Sequence, residues 1–304
     1  MTSKRAATAM GRRDFLASTA TVAASVTILR PDIVRGSQAN SAIRIGIIGT
    51  GGRGNWIGNL FQKSGKYQIV AGADYFEDRV NPFGEKFQVE PARRFTTLSG
   101  YKRLLEQPLD AVVIETPPYF HPQQAADAVA AGKHVFLAKP IAVDVPGCLT
   151  VAESGKQATA KKLVFLVDFQ TRASDVYRET LQRTREGTLG KLVSAEATYP
   201  WAATVHDVPA NTPEEKLRFW YQTLALSGDS IVEQSIHALD VACWFADADP
   251  VKAYGTGGRA IRKHGNIWDH MAVLYQFPDG FSVSFTENKA VPGAVDVIAC
   301  RVYG

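Results

Sequence analysis

Six residues near position 50 have the composition and spacing of a phosphate-binding loop. They follow the β-branched run at 43–48 and read Gly49-Thr50-Gly51-Gly52-Arg53-Gly54. In such a loop the first glycine permits a tight turn, the second lets the backbone approach a pyrophosphate, and the third lets strand and helix pack closely. The pyrophosphate lies on the free N–H groups of the following helix, whose dipole favours an anion. The loop therefore predicts a dinucleotide site.

An acidic residue follows at the distance that a dinucleotide site requires. The apolar run 67–74 predicts a second strand, and Asp74 ends it 20 residues after Gly54. A carboxylate at this place accepts hydrogen bonds from the adenosine ribose and repels a 2′-phosphate, so Asp74 favours NAD over NADP. The alternative is a glycine-rich turn beside an unrelated surface acid.

Strands and helices alternate through the first half of the chain. Predicted strands at 111–115, 134–138 and 163–168 alternate with predicted helices at 122–131 and 146–159. Such units imply a parallel, doubly wound sheet, because right-handed crossovers need the helix. Ligands bind beyond the carboxyl ends of these strands. The residues that fall at such ends are Glu115, Thr116, Pro117, Lys139 and Pro140.

The second half has a different pattern, with most of its strands gathered after its helices. A helix is predicted at 174–186 and a strand at 192–201, and later strands are predicted near 251–256, 271–277, 281–288 and 294–303. This pattern predicts an α+β domain with a largely antiparallel sheet. Pro278-Asp279-Gly280 predicts a hairpin turn within it.

One predicted helix of the second half carries three polar residues at helical spacing. Ser230 is a good N-cap for a helix over 231–245. Glu233 and His237 are four residues apart and would share a face of that helix. Asp240 follows three residues after His237 and would also reach it.

Three motifs in this order resemble those of the Gfo/Idh/MocA family of glucose–fructose oxidoreductases and inositol dehydrogenases. They are the glycine loop, the pair of segments 116–121 and 132–140, and the segment 228–240. The resemblance covers residues 42–304 and implies a Rossmann domain followed by an α+β substrate domain. Chains of the family continue for some tens of residues beyond a point like Gly304, so the second sheet is expected to lack strands.

The resemblance implies three catalytic residues. The lysine of the family's Glu-Lys-Pro motif, which lies near nicotinamide and substrate, maps to Lys139, with Ala138 in place of the acid. The family's Asp-x-x-x-His pair maps to Glu233 and His237. Oxidation of a carbinol needs a base and a nearby hydride acceptor. His237 is the candidate acid/base, oriented by Glu233 or Asp240, and Lys139 would polarise the reacting oxygen or itself act as the base.

Further residues are expected at the cofactor or the substrate. Thr116, Pro117, His121 and Lys139 are expected to contact the cofactor, and a structural role at the helix start is equally open for His121. Arg172 and Trp201 are weaker candidates for the sugar site. Asp269-His270 does not predict a metal site, because adjacent strand residues point to opposite faces.

Charge and cysteine content exclude several classes of function. Residues 1–39 hold six cations and two anions, and the rest of the chain holds 28 of each. A nucleic-acid reader would need a basic stripe on its folded part, which this balance does not provide. The three cysteines are far apart and predict neither a disulfide framework nor a metal site.

The first 39 residues have the pattern of an export signal. Gly11-Arg12-Arg13-Asp14-Phe15-Leu16 resembles the twin-arginine consensus, and an apolar run to Leu29 follows that is too short for a comfortable membrane span. A disordered arm with a chance arginine pair is the alternative. We therefore expect a signal at 1–39, a dinucleotide domain at 40–168, a substrate domain at 169–304, a periplasmic location and no stable membrane anchor.

These expectations combine into one leading function and two alternatives. The leading function is an exported NAD-dependent oxidoreductase that acts on the carbinol of a sugar or polyol with a tightly held cofactor, because an exported enzyme has no free cofactor pool. The alternatives are an NAD-dependent glycosidase that oxidises its sugar transiently and a non-catalytic sugar-binding paralogue. A homo-oligomer formed through the second-domain sheet is expected.

Overall fold

The computed structural model describes residues 42–203, 205–291, 293–295 and 297–304. The predicted export segment 1–39 lies outside these residues. Residues Ile43–Gly304 form one compact unit that contains two β-sheets.

The first sheet is parallel, and its six strands lie in the order β3-β2-β1-β4-β5-β6. The strands are β1 (Ile43–Ile48), β2 (Tyr67–Ala73), β3 (Arg94–Phe95), β4 (Ala111–Ile114), β5 (His134–Ala138) and β6 (Phe165–Asp168). This order confirms the predicted doubly wound sheet. The direction of winding reverses between β1 and β4, and ligands bind at such a switch point.

Helices cover both faces of this sheet, so its central strands are apolar on both sides. Ile47 and Val113 pack in one buried cluster, whereas their neighbours Ile48 and Ile114 pack in the other. The helices are α1 (Gly52–Lys63), α2 (Glu77–Lys86), α3 (Gly100–Leu105), α4 (His121–Ala130) and α5 (Val145–Ala160). The sequence analysis did not predict α2, which has a proline inside it, or α3, which is only six residues long.

The second sheet has the strand order β11-β7-β10-β9-β8 and is antiparallel except between β7 and β10. Its strands are β7 (Ser194–Thr198), β8 (Lys252–Gly258), β9 (His270–Gln276), β10 (Ser282–Asn288) and β11 (Ala299–Tyr303). The largely antiparallel sheet is therefore confirmed.

Six helices accompany the second sheet in the described part of the chain, and one of them forms its core. They are α6 (Gln170–Ala173), α7 (Asp175–Arg185), α8 (Pro213–Arg218), α9 (Leu224–Ser227), α10 (Ser230–Glu233) and α11 (Ile236–Ala246). Ala238 and Ala242 of α11 pack on Ala197 and Phe285 of the sheet. Their small side chains let this helix approach the strands closely.

The predicted continuous helix over 231–245 is wrong. The chain forms α10 and α11 with a break at Gln234-Ser235, and the N-cap is Asp229, whose carboxylate accepts the Ser230 N–H at 2.7 Å. The hydroxyls of Ser230 and Ser235 both donate to the buried carboxylate of Glu287. Side-chain hydrogen bonds of this kind compete with a regular helix. Glu233 and His237 therefore do not share a face of one helix.

None of the helices within the described residues is both long and apolar enough to cross a membrane. The same residues contain no group of three or more His, Cys, Asp or Glu side chains arranged to hold a metal ion.

We expect Gly54→Ala to destabilise the protein. A Cβ at Gly54 would lie 1.9 Å from the carbonyl oxygen of Gly49, so strand and helix would have to move apart. Overpacking of this kind typically costs about 1–3 kcal/mol of the free energy of unfolding. Denaturant unfolding with and without NAD measures both this loss and the weakened binding.

The matched control is Gly155→Ala, a glycine of α5 with no atom within 4 Å of the added Cβ. It is expected to be neutral or to stabilise by up to about 1 kcal/mol, because alanine is the better helix former. Equal stability of the two variants would contradict close packing at Gly54.

Candidate active site

The glycine loop leaves its backbone open on the side where a pyrophosphate would bind. Gly49 has a φ of 89°, and a Cβ there would lie 2.6 Å from the backbone of Glu115, so the loop and β4 approach each other closely. A Cβ on Gly51 meets only the Arg79 guanidinium at 3.8 Å, and one on Gly52 meets nothing within 4 Å. The N–H groups that begin α1 are therefore accessible to an anion, and the loop fits a dinucleotide.

Asp74 accepts a hydrogen bond from the glycine loop and also faces the cavity next to it. One of its carboxylate oxygens accepts the Thr50 N–H at 2.8 Å, and the other accepts the Phe76 N–H at 3.0 Å. The Asp74 side chain also lines a cavity next to the loop, where its carboxylate can accept hydrogen bonds from ribose hydroxyls. Loop conformation and ribose recognition therefore depend on the same carboxylate.

A cavity of about 300 Å³ lies beyond the carboxyl ends of β1, β2 and β4, and we call it the cofactor cleft. The predicted cofactor residues that line it are Gly49, Gly51, Gly52, Arg53, Asp74, Thr116 and Pro117. His206, Leu217, Arg218 and Trp220 from the second half of the chain close its other side. The lining of the cleft and its place beyond the strand ends fit a nucleotide cofactor.

Three predicted cofactor residues are buried behind the cleft instead. Thr50 and Gly54 pack inside the loop. The His121 ring lies with Nδ1 2.7 Å from the carbonyl oxygen of Pro140 and Nε2 2.8 Å from that of Thr116. Burial lowers the pKa of His121 to about 4, so the neutral ring donates to one of these carbonyls at a time. The geometry gives His121 a structural role that joins the loops after β4 and β5.

A second cavity of about 290 Å³ adjoins the first, and we call it the substrate pocket. It brings together the three predicted catalytic residues, Lys139, Glu233 and His237. Four residues line both cavities: Arg53, Glu115, Thr116 and Trp220. A molecule in the substrate pocket would therefore lie next to one end of a dinucleotide in the cleft.

Lys139 and Glu233 form a contact between the two halves of the chain. The Lys139 ammonium donates to the Glu233 carboxylate at 3.1 Å and to its backbone carbonyl oxygen. Both side chains are largely buried, with 12% and 16% of their surface exposed. The expectation that Glu233 orients His237 is therefore wrong for this structure, since Glu233 contacts the lysine.

His237 borders the substrate pocket as a neutral ring. It is buried, and this burial, with the positive charges of Lys139, Arg53 and Lys289, lowers its pKa to about 3. Its Nδ1 has no hydrogen-bond partner within the described part of the chain. A neutral imidazole has one nitrogen that can accept, so a ring that lines the pocket can receive a proton from a bound hydroxyl.

Asp240 does not reach His237, which corrects the sequence-based expectation. Its carboxylate accepts hydrogen bonds from Arg172 at 2.8–3.2 Å, and neither residue is among those that line the substrate pocket. The guanidinium of Arg172 also lies 5.2 Å from the centre of the Trp244 ring. Arg172 therefore anchors α11 and does not line the substrate pocket.

An aromatic wall forms the remaining side of the pocket, and the sequence indicated only part of it. Trp201 lines the pocket, as do Tyr199 and Trp220, which the sequence analysis missed. The ring centres of Tyr199 and Trp201 lie 5.6 Å apart. The Lys289 ammonium lies 3.7 Å from the centre of the Tyr199 ring and donates a hydrogen bond to the Tyr199 carbonyl oxygen at 2.7 Å. Residues two apart on an extended chain share a face, and this spacing was the available clue.

Two family models match the chain. One is described as "Oxidoreductase family, NAD-binding Rossmann fold" and matches residues 43–168. The other is described as "GFO/IDH/MocA C-terminal domain" and matches residues 177–304. Together they cover both sheets.

Individual proteins are similar to most of the chain or to about half of it. Inositol 2-dehydrogenase 3 of Saccharopolyspora erythraea is 28% identical over 264 residues, which cover 86% of this chain and 71% of that protein. Glycosyl hydrolase family 109 protein 3 of Phocaeicola vulgatus is 26% identical over 174 residues, which cover 55% of this chain and 30% of that protein.

The fold is shared with a solved structure. The crystal structure of aldose-aldose oxidoreductase from Caulobacter crescentus complexed with glycerol superposes with a TM-score of 0.71 at 20% identity, covering 86% of this chain and 74% of that one. With the three motifs and the two matched models, the chain belongs to the GFO/IDH/MocA family of oxidoreductases, whose first domain is an NAD-binding Rossmann fold.

Proposed function

We propose that this oxidoreductase is exported and removes a hydride from the carbinol of a sugar or polyol. The observation that carries the proposal is the junction of the two cavities. The pocket that holds Lys139, Glu233 and His237 shares four lining residues with the cofactor cleft. A hydroxyl-bearing carbon in that pocket would lie beside the hydride acceptor.

The lining of the pocket suits a sugar or polyol. The aromatic faces of Tyr199, Trp201 and Trp220 offer apolar surface to C–H groups, and Lys139, Gln170 and Gln234 offer hydrogen bonds to hydroxyls. The likeness to an inositol 2-dehydrogenase supports a polyhydroxylated ring as substrate.

In the proposed reaction one residue accepts the proton and another stabilises the developing negative charge. Bound NAD supplies the hydride acceptor. The neutral His237 ring takes the hydroxyl proton as the carbinol becomes a carbonyl. The Lys139 ammonium, held by Glu233, donates a hydrogen bond to the reacting oxygen and stabilises its developing negative charge.

The second half of the chain closes over the adenosine side of the cleft, which supports a retained cofactor. Arg218 pairs with Asp78 at 2.9 and 3.1 Å and lies 3.9 Å over the ring of Phe76. Arg79 donates to the carbonyl oxygen of Arg218 at 3.2 Å. A dinucleotide beneath these contacts would leave only after they open. Retention agrees with export through a twin-arginine signal at 11–16, since that pathway carries folded proteins.

A homo-oligomer formed through the outer face of the second sheet completes the proposal. Tyr254 and Leu274 lie directly opposite each other on β8 and β9, and both are exposed. Adjacent exposed apolar side chains on a sheet are typical of a contact surface.

A glycosidase is the second candidate, because over half of the chain is similar in sequence to a family 109 glycosyl hydrolase. Such an enzyme oxidises the sugar transiently, eliminates the aglycone and reduces the product again. Turnover of a nitrophenyl glycoside without net NADH formation would select it. Net NADH formation on a free sugar or polyol would select the dehydrogenase.

We expect protein purified without added nucleotide to contain NAD. Denaturation followed by mass and absorbance analysis of the released dinucleotide measures the amount per chain. About one NAD per chain is expected from the closed cleft and from Asp74, which disfavours a 2′-phosphate. A protein that is empty and also fails to bind added NAD would contradict the proposal.

Lys139→Met and His237→Gln are expected to lose turnover and keep the cofactor. Removal of a general base typically lowers the rate by a factor of about 10²–10⁴. Neither residue lines the cofactor cleft, so bound NAD should remain at the wild-type level. Asp240→Asn serves as the control, since Asp240 pairs with Arg172 outside the pocket. Wild-type rates in both pocket variants would contradict the assigned roles.

The neutral state of His237 predicts a specific pH dependence of stability. Its pKa is about 3 in the folded protein and about 6.5 in the unfolded chain, so the unfolded chain binds the extra proton between these values. Stability is therefore lost as pH falls from about 6.5, by up to about 1.4 kcal/mol per pH unit for this group.

Denaturant unfolding of wild type and His237→Gln between pH 8 and pH 4 measures this dependence. The variant should lose less stability on acidification than the wild type, and the pH 8 values serve as the reference because the ring is neutral in both states. Parallel curves over the whole range would show that His237 does not carry a lowered pKa.

A further inference from the structure

Glu115 is a buried carboxyl group that the proposed mechanism does not use. It follows β4, and its backbone N–H donates to the carbonyl oxygen of Ile48 at 2.7 Å, which extends the sheet by one residue. None of its side-chain surface is exposed to solvent, yet it lines both the cofactor cleft and the substrate pocket. It therefore lies where the two cavities meet.

Neither carboxyl oxygen of Glu115 has a hydrogen-bond partner within the described part of the chain. Nε of Arg53 lies 3.6 Å from one of these oxygens, which is close enough for an ion pair but too far for a hydrogen bond. The Arg53 guanidinium is hydrogen-bonded to the carboxylate of Asp168, and the Lys139 ammonium is hydrogen-bonded to that of Glu233. A buried polar group without a hydrogen-bond partner destabilises the folded state, so a group retained in this state points to a missing ligand.

The order of strands indicates which part of a dinucleotide reaches Glu115. Asp74 at the end of β2 faces the adenosine ribose, and the loop after β1 faces the pyrophosphate. The next strands in the sheet are β4, which Glu115 follows directly, and β5, which Lys139 follows directly. The half of the dinucleotide beyond the pyrophosphate would therefore pass over Glu115 before it reaches Lys139.

The neighbouring strand leaves room for the Glu115 side chain. Ile114 pairs with Leu137, so the next position in this parallel register sets Glu115 beside Ala138. Both residues line the substrate pocket. A small side chain on β5 thus accompanies a long acidic side chain on β4.

We propose that Glu115 is a further residue of the active site and hydrogen-bonds the nicotinamide-riboside half of the bound dinucleotide. This inference rests on the proposed function. The ribose hydroxyls and the carboxamide both donate and accept hydrogen bonds, and a carboxyl group at this junction complements them. Burial, opposed by the nearby Arg53, raises the pKa of Glu115 to about 8. The protonated form is both a donor and an acceptor, so it leaves no buried charge beside the pyrophosphate.

Binding measurements with two probes test this assignment without relying on turnover. NAD⁺ contains the nicotinamide riboside, and ADP lacks it. Isothermal titration of nucleotide-free protein should show that Glu115→Ala weakens NAD⁺ binding about tenfold or more, which corresponds to about 1.4 kcal/mol. ADP binding should stay within about twofold of wild type.

Two further variants separate the hydrogen bond from effects on folding. Glu115→Gln keeps a donor and an acceptor in the same place and should bind NAD⁺ within about threefold of wild type. Glu153→Ala removes an exposed carboxylate of α5 and serves as the control. Melting temperatures confirm that each variant is folded.

The outcomes distinguish this inference from the proposed function. Wild-type NAD⁺ affinity in Glu115→Ala would overturn the inference and leave the oxidoreductase proposal intact. Equal weakening of NAD⁺ and ADP would overturn it as well, because Glu115 would then shape the cleft as a whole. Wild-type protein that binds ADP but no NAD⁺ would overturn both.

Discussion

The ion pair between Lys139 and Glu233 is the contact on which the active site depends. Lys139 directly follows a strand of the parallel sheet, and Glu233 ends a short helix that packs against the other sheet. Their contact joins the two halves at the place where the cofactor cleft and the substrate pocket meet. Because both side chains are largely buried, loss of either partner would leave a charge without compensation. The site is therefore built from both halves and belongs to neither alone.

Glu233 occupies its position because the chain breaks its helix immediately after it. The hydroxyls of Ser230 and Ser235 bind the carboxylate of Glu287, which lies at the buried end of β10. Lys289, 3.9 Å from that carboxylate, then supports Tyr199. One buried polar cluster thus shapes the turn that carries Glu233 and the aromatic wall opposite. A fully bonded buried network fixes geometry more strictly than apolar packing does.

Local patterns in the sequence were sufficient to predict five of the six strands of the first sheet and its glycine loop, whereas the two-residue strand β3 was not predicted. Their determinants are short-range: β-branched runs, glycines at fixed spacing and an acid at the end of the next strand. The break between α10 and α11 was not predictable in this way, because its cause is Glu287, 52 residues beyond Ser235. A local reading of 231–245 gives one amphipathic helix, and it therefore paired Glu233 with the wrong neighbour.

The same distinction applies to the candidate site. Lys139 and His237 were identified from motifs, and the structure places both in one pocket. Their partners were assigned wrongly, since Glu233 contacts Lys139 and Asp240 contacts Arg172. The sequence analysis named Glu115 because of its place at the carboxyl end of β4. Its burial and its lack of hydrogen-bond partners follow only from the packing of Arg53, Asp168 and the second half of the chain.

The charges around the junction explain why a neutral histidine and a buried acid occur together. Arg53 and Lys139 lie close to both His237 and Glu115. Positive charges disfavour an imidazolium, whereas desolvation disfavours a carboxylate more strongly than these cations favour it. Each group is therefore held in its neutral form, and the neutral form of each is the one that can bond a hydroxyl or amide of a bound molecule. Burial thus sets the protonation state of both residues, and the two cations, which are paired to Asp168 and Glu233, reinforce it at His237 and oppose it at Glu115.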